Sequence, residues 1–224
     1  MKSNSQIEDS LAIPSFRSLR LIEPLAFCAY VALFIWKLQQ AYFYSWVVFP
    51  VWLLASFLLH RDTPKTIGWR GDNLWPACKR AAIVAVPQML GLLLLGVFLG
   101  GLHRPFGSLF SPQHLLGYMS FCLLQQVALN SYVTNRFLET PLSPLSVCLL
   151  SGAIFAALHW PNPVLVPVTG LGGAIMAWLF AKERNILPLA FAQGILGTLV
   201  WWAFPLAWHH AMRVGPGFYH WHPR

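Results

Sequence analysis

Five polar stretches of this sequence could do chemistry. Gln125, Gln126, Asn130, Ser131 and Asn135 lie together in an otherwise apolar run that ends at Arg136. His159 follows another apolar run and precedes Trp160-Pro161-Asn162-Pro163. That proline pair must end or kink a helix. Gln193 sits beside Gly194 in a third run, followed by Gly197 and Thr198. Glu23 lies near the end of the first run, and Pro87 and Gln88 interrupt another. An imidazole can take and give protons near neutral pH. Amides cannot, but they can orient water or bind a developing oxyanion.

The surroundings of these residues are membrane-like. Hydrophobic residues are 57% of the 224, and charged residues only 10%. Soluble domains average roughly 25% charged. So few charges exclude a soluble globular protein, a disordered chain and a disulfide scaffold. The 11 Trp and 6 Tyr suit the headgroup zone. A net charge of +8 would suggest nucleic acid in a soluble protein. Here the cations sit at the ends of apolar runs and in one loop, so no nucleic-acid partner is expected and membrane lipid is. Cys28, Cys78, Cys122 and Cys148 form no C-x-x-C pair. They read as packing residues, with no disulfide and no metal site.

Seven apolar runs reach or approach the roughly 20 residues of a spanning helix. They cover about 21–38, 43–60, 80–102, 113–137, 144–160, 164–181 and 186–204. The expected fold is all-α and polytopic. It has a polar N-terminal tail (1–20), one transmembrane domain (21–204) and an aromatic, His-rich C-terminal tail (205–224). The first run has no signal-peptide exit and reads as a retained span. With the N-terminus in the cytoplasm, eleven of the 15 Lys and Arg fall on the cytoplasmic side and four (Lys37, Arg104, Arg213, Arg224) on the other. That is the positive-inside pattern. The basic loop 61–79, with Trp69 and Trp75, reads equally as membrane-lying or solvated. Gly96-Val-Phe-Leu-Gly100 and the Gly170, Gly172, Gly173 face predict close helix packing and leave a homo-oligomer contact open.

The polar clusters share a depth. At about 1.5 Å per residue, Gln125 lies roughly 16 Å, His159 roughly 22 Å and Gln193 roughly 12 Å from the cytoplasmic ends of their spans. Three spans can therefore offer polar groups to one buried pocket. Gln126 and Asn130 are i and i+4, on one helix face. The bland reading of each amide is interhelical glue.

These motifs resemble the CAAX protease and bacteriocin-processing family, the CPBP or Abi group of glutamic-type intramembrane endopeptidases. The family's E-E-x-x-x-R appears as Gln125-Gln126-Val-Ala-Leu-Asn130. Its F-x-x-x-H is intact as Phe155-Ala-Ala-Leu-His159. Its H-x-x-x-N becomes Gln193-Gly-Ile-Leu-Gly197. Pro161-Asn162-Pro163, Gly172-Gly173 and Arg184-Asn185 look like the bacterial branch, over a core of about 113–204. The resemblance implies a multi-pass protein of a bacterial inner or cell membrane that cuts peptide bonds there, without a cofactor. It assigns catalytic positions to Gln125, Gln126, Asn130, His159 and Gln193, and pocket positions to Phe155, Asn162 and Gly197.

The departures are chemically coherent. Both glutamates are amides, the arginine beside them is Asn130, and only His159 remains ionisable. Two functions follow as expectations. One is a slow endopeptidase with His159 as base. The other is a pseudoprotease that binds a transmembrane or lipidated peptide as adaptor, chaperone or immunity factor. A transporter is disfavoured, because no acidic relay or half-helix repeat is evident.

Overall fold

The computed structural model describes residues 16–101 and 111–222, with side chains from residue 20 onward except His114. Most of the N-terminal tail, with Lys2, lies outside the described residues, as do Arg104 and Arg224. So does the side chain of Arg17.

Seven helical stretches occupy the seven apolar runs. Helix α1 is Phe16–Leu33, continued by a π-helical turn (Phe34–Leu38) into Gln39–Ala41. Helix α2 is Val48–Leu59, preceded by a 3₁₀ stretch, Phe43–Val47. Helix α3 is Leu74–Phe98. Helix α4 is Pro112–Gln126, continued by the π-helical stretch Val127–Thr134 and by Asn135–Leu138. Helices α5, α6 and α7 are Pro144–Ala157, Leu165–Glu183 and Leu187–Ala203. By length and apolarity three described helices qualify as spans, or four if the pair bent by 117° after Ala203 is one, against the seven expected. The shorter apolar helices are Phe43–Leu59 and Pro144–Ala157. The latter would be about 21 Å long, against about 30 Å of bilayer hydrocarbon.

The distribution of polarity is that of a membrane protein. Phe98 is 86% exposed and Leu94 73%, while Gln126, Asn130 and Arg136 are fully buried. A soluble surface would not display such side chains in bulk, but acyl chains accept them. Polar side chains turn inward, where other helices can satisfy them.

Helix α4 is the hub. It meets α1 and α2 on one side, and α5, α6 and α7 on the others. Helices α5 and α6 make the most extensive contact. Its cause is the small-residue face: a Cβ on Gly152 would lie 2.4 Å from the carbonyl oxygen of Gly170 and 2.9 Å from Ala174. The GxxxG reading of α3 holds only at Gly96. A Cβ there would strike the Trp202 ring of α7 at 2.1 Å, whereas one at Gly100 meets nothing within 4 Å. Ser143 caps α5 by accepting from the Ser146 amide at 3.1 Å, with Pro144 in the first turn.

The basic loop is tied to the bundle. The Ile67 carbonyl accepts from Ser131 Oγ of α4 at 2.5 Å. The Gly68 carbonyl accepts from the Ile186 amide at 3.0 Å. Asn185 Nδ2 donates to the Arg70 carbonyl and to Asn73 Oδ1, both at 2.9 Å. Asn73 Nδ2 donates to the Glu183 carbonyl. Trp75 nevertheless stays 74% exposed. Within the loop, Arg70 grips Asp72 through two nitrogens at 3.0 and 2.6 Å. This guanidinium holds the Asp72 carboxyl down at about 2.

Candidate functional site: an amide chain between three helices

Helix α4 loses its regular pitch immediately after Gln126, where the π-helical stretch begins. Such stretches are rare and concentrate at functional positions. The amides on this part of α4 meet α7. Asn130 Nδ2 donates to Gln126 Oε1 at 2.5 Å. Gln126 Nε2 donates to Gln193 Oε1 at 2.6 Å and approaches Met176 Sδ of α6 at 2.9 Å. Gln193 Nε2 donates to Gln125 Oε1 at 2.6 Å. Four of the five expected catalytic residues thus form one chain of direct contacts.

The chain has a direction. Gln126 and Gln193 each accept from one neighbour and donate to the next, with Asn130 as first donor and Gln125 as last acceptor, which polarises the set cooperatively. One pole is the oxygen Asn130 Oδ1, buried and without a hydrogen-bond partner among the described residues. The other is the Gln125 NH₂ group, on a half-buried side chain. No described carboxylate bonds to any of the four amides. Beside Met176 the helices leave a cavity of only about 20 Å³, between α3, α6 and α7. That is room for about one water.

His159 stands apart. It follows α5, and its Nδ1 bonds to the Phe155 carbonyl at 2.7 Å. A carbonyl can only accept, so Nδ1 carries a proton, and in the neutral ring the lone pair is then on Nε2. Phe155 packs edge-on against the imidazole at 4.7 Å. His159 makes no hydrogen bond to Gln125, Gln126, Asn130 or Gln193. The expected single pocket is therefore an amide chain with a separate histidine.

The other pocket positions have packing roles. Phe155 is buried against Gly173. A Cβ at Gly197 would lie 2.1 Å from the Tyr118 hydroxyl, so that site needs glycine for close approach. Asn162 is fully buried and its bonds all go to backbone. Its Oδ1 caps α6 at the Val164 and Leu165 amides, at 3.1 and 3.0 Å. Its Nδ2 donates to the His209 and Arg213 carbonyls at 2.8 and 2.9 Å. The C-terminal segment is thus held to the turn after α5, where the Gly215 amide also bonds the Trp160 carbonyl at 2.9 Å.

A second polar network lies on the α1 and α2 side of α4. Arg136 is fully buried and pairs with Asp62 at 2.6 Å, with further bonds to the Ser56 hydroxyl and carbonyl. Glu23 accepts from His60 at 2.9 Å and from the Tyr132 hydroxyl at 3.0 Å. Along the chain Arg136 is a topology charge at a span end, and Asp62 and His60 have no evident role. One signal was available: an arginine directly after a row of span amides needs a counter-ion if it is buried. Met176 gave no signal, because a thioether in an apolar run reads as core.

Residues 113–199 match the family model described as Rce1-like, type II CAAX prenyl endopeptidase. No curated protein and no solved structure matches the chain. The matched stretch takes in α4 through most of α7, with all four linked amides and His159. It is the part of the chain that is similar to the Rce1-like family of type II CAAX prenyl endopeptidases.

Proposed function

We propose that this integral membrane protein uses a CAAX protease-like intramembrane endopeptidase fold to bind a transmembrane or lipidated peptide, with hydrolysis slow or lost. One observation carries this reading. The positions that hold glutamates and arginine in the resembled motif hold amides that satisfy one another head to tail. An amide cannot act as general base near neutral pH. It can exchange its bonds for those of a peptide backbone entering between α4 and α7, in a low-dielectric site. A bacterial inner or cell membrane fits the bacterial look of residues 161–185.

The experiment is a photo-reactive side chain at Leu196, one turn from Gln193 and lining the small cavity. In native membranes it should capture a discrete membrane-embedded partner, and Gln126→Leu with Gln193→Leu should reduce the yield. Capture that ignores the double substitution counts against the amide site.

A second reading is favoured by His159 itself. In the neutral ring its Nε2 lone pair, which has no hydrogen bond among the described residues, can accept a proton from water. General-base help is worth about 10²–10⁴ in rate, so loss of the carboxylate predicts slow turnover. Purified protein should then cleave a membrane-peptide library faster than its His159→Ala variant. Equal rates remove the enzyme reading and leave the binding reading standing.

A further inference from the structure

A second cavity lies away from the amide chain. It has a volume of about 440 Å³ and opens along α2, within the range of small-ligand sites. Val47, Val51, Ala55 and Leu59 line it at helical spacing, with Trp52 beside them. From Val47 to Leu59 the groove runs about 18 Å. One leaflet of bilayer hydrocarbon is about 15 Å deep. The groove therefore matches a single extended alkyl chain.

One end of the groove is polar. Glu23 and Ser56 line it there. The Glu23 carboxylate is held by the Tyr132 hydroxyl at 3.0 Å and by His60 Nε2 at 2.9 Å. Trp52 Nε1 in turn donates to the Tyr132 oxygen at 3.0 Å. The neighbouring acids have guanidinium partners. Asp62 has Arg136 at 2.6 Å, and Glu139 has Arg20 at 3.3 Å and Arg136 at 3.6 Å. Glu23 has none among the described residues; its ion-pair partner is His60. A carboxylate has about four lone-pair sites, and Ser56, His60 and Tyr132 account for three of them here. An anion fixed at the end of an apolar groove, with spare acceptor capacity, is complementary to a cation on an alkyl tail.

We propose that this groove binds a single-chain amphiphile whose head is a protonated primary amine, with the tail along α2 and the ammonium on Glu23. Trp52 adds an aromatic wall to the groove. The site is independent of the peptide-binding reading, because it lies on the α1 and α2 side of α4.

The test uses the whole protein in phosphatidylcholine nanodiscs and a dodecylamine with a diazirine in its tail. Labelling should be saturable and map to residues 47–59. Unlabelled dodecylamine should compete at least about tenfold better than dodecanol, the scale of one charge-assisted hydrogen bond. Glu23→Gln should erase that preference. Val51→Trp should block labelling while leaving the polar network untouched, so a fold defect in Glu23→Gln does not decide the matter. Equal competition by amine and alcohol overturns the proposal, as does an unchanged preference in Glu23→Gln. Stronger competition by an apolar helical peptide bearing one lysine assigns the groove to a partner helix and also overturns it.

Discussion

Gln126 of α4 donates to Gln193 of α7 at 2.6 Å, joining the first and third motifs of the matched domain by a single bond. Gln126 is at the same time the acceptor for Asn130. Removing either glutamine therefore orphans more than one group. Gln126→Leu and Gln193→Leu should each destabilise the protein by about 1–3 kcal/mol. The double substitution should cost less than their sum, with a coupling of about 0.5–2 kcal/mol. A double-mutant cycle of unfolding in detergent checks this; strict additivity would mean that the two amides do not interact.

Arg136 should be the most sensitive charged position. It is fully buried and bonds to Asp62 and to two oxygens of Ser56. Arg136→Met leaves the Asp62 carboxylate without its partner and should cost about 3–5 kcal/mol. Arg136→Met combined with Asp62→Leu should recover most of that loss, because the penalty comes from the uncompensated charge. Thermal unfolding of the three variants separates these outcomes. Arg136→Lys should rescue poorly, since one ammonium cannot reproduce the guanidinium fork.

The glycines of α3 should respond oppositely to alanine. Gly96→Ala forces a methyl into the Trp202 ring and should destabilise by about 1–3 kcal/mol. Gly91 has open space around its would-be Cβ, so Gly91→Ala should be neutral or stabilising by up to about 1 kcal/mol. Melting temperatures compared side by side test the pair. Equal destabilisation would contradict the α3–α7 packing.

Asp72 offers a pH signature outside the membrane. Its carboxyl titrates at about 2, held down first by the Arg70 hydrogen bonds. An unperturbed aspartate titrates near about 3.9. The folded value is the lower one, so the contribution is fully present above about pH 4 and fades as pH falls toward 2. The pair is solvent-exposed, so the effect on stability should be small and weakened by salt. Side-chain NMR should place the midpoint near 2 in the native protein and clearly higher in Arg70→Gln.

Composition alone decided that this chain belongs in a bilayer. A tenth of residues charged cannot cover a soluble surface, and the apolar runs are spaced as helices whatever their partners. The positions of Gln125, Gln126, Asn130 and Gln193 were legible for the same reason. A polar residue in an apolar span stands out because burying it unpaired is costly. Depth along a helix follows from rise per residue, so their shared level could be read as well.

Tertiary structure decided which of these residues meet. Whether an amide finds another amide or a histidine depends on helix rotation and on the π-helical stretch of α4, and neither is written in local periodicity. Hence Gln126 bonds Gln193 and Asn130, while His159, at a similar expected depth, turns to the Phe155 carbonyl. The same holds for charges. Arg136 looks like a span-end charge and Asp62 like a loop residue along the chain, and they become a buried pair only when α4 packs beside the end of α2. Glu23 reads as a span-end acid, yet the gap between α1 and α2 makes it the polar end of a cavity. Cost of burial is a property of a residue and can be read from its type; the partner that offsets it is a property of the packing.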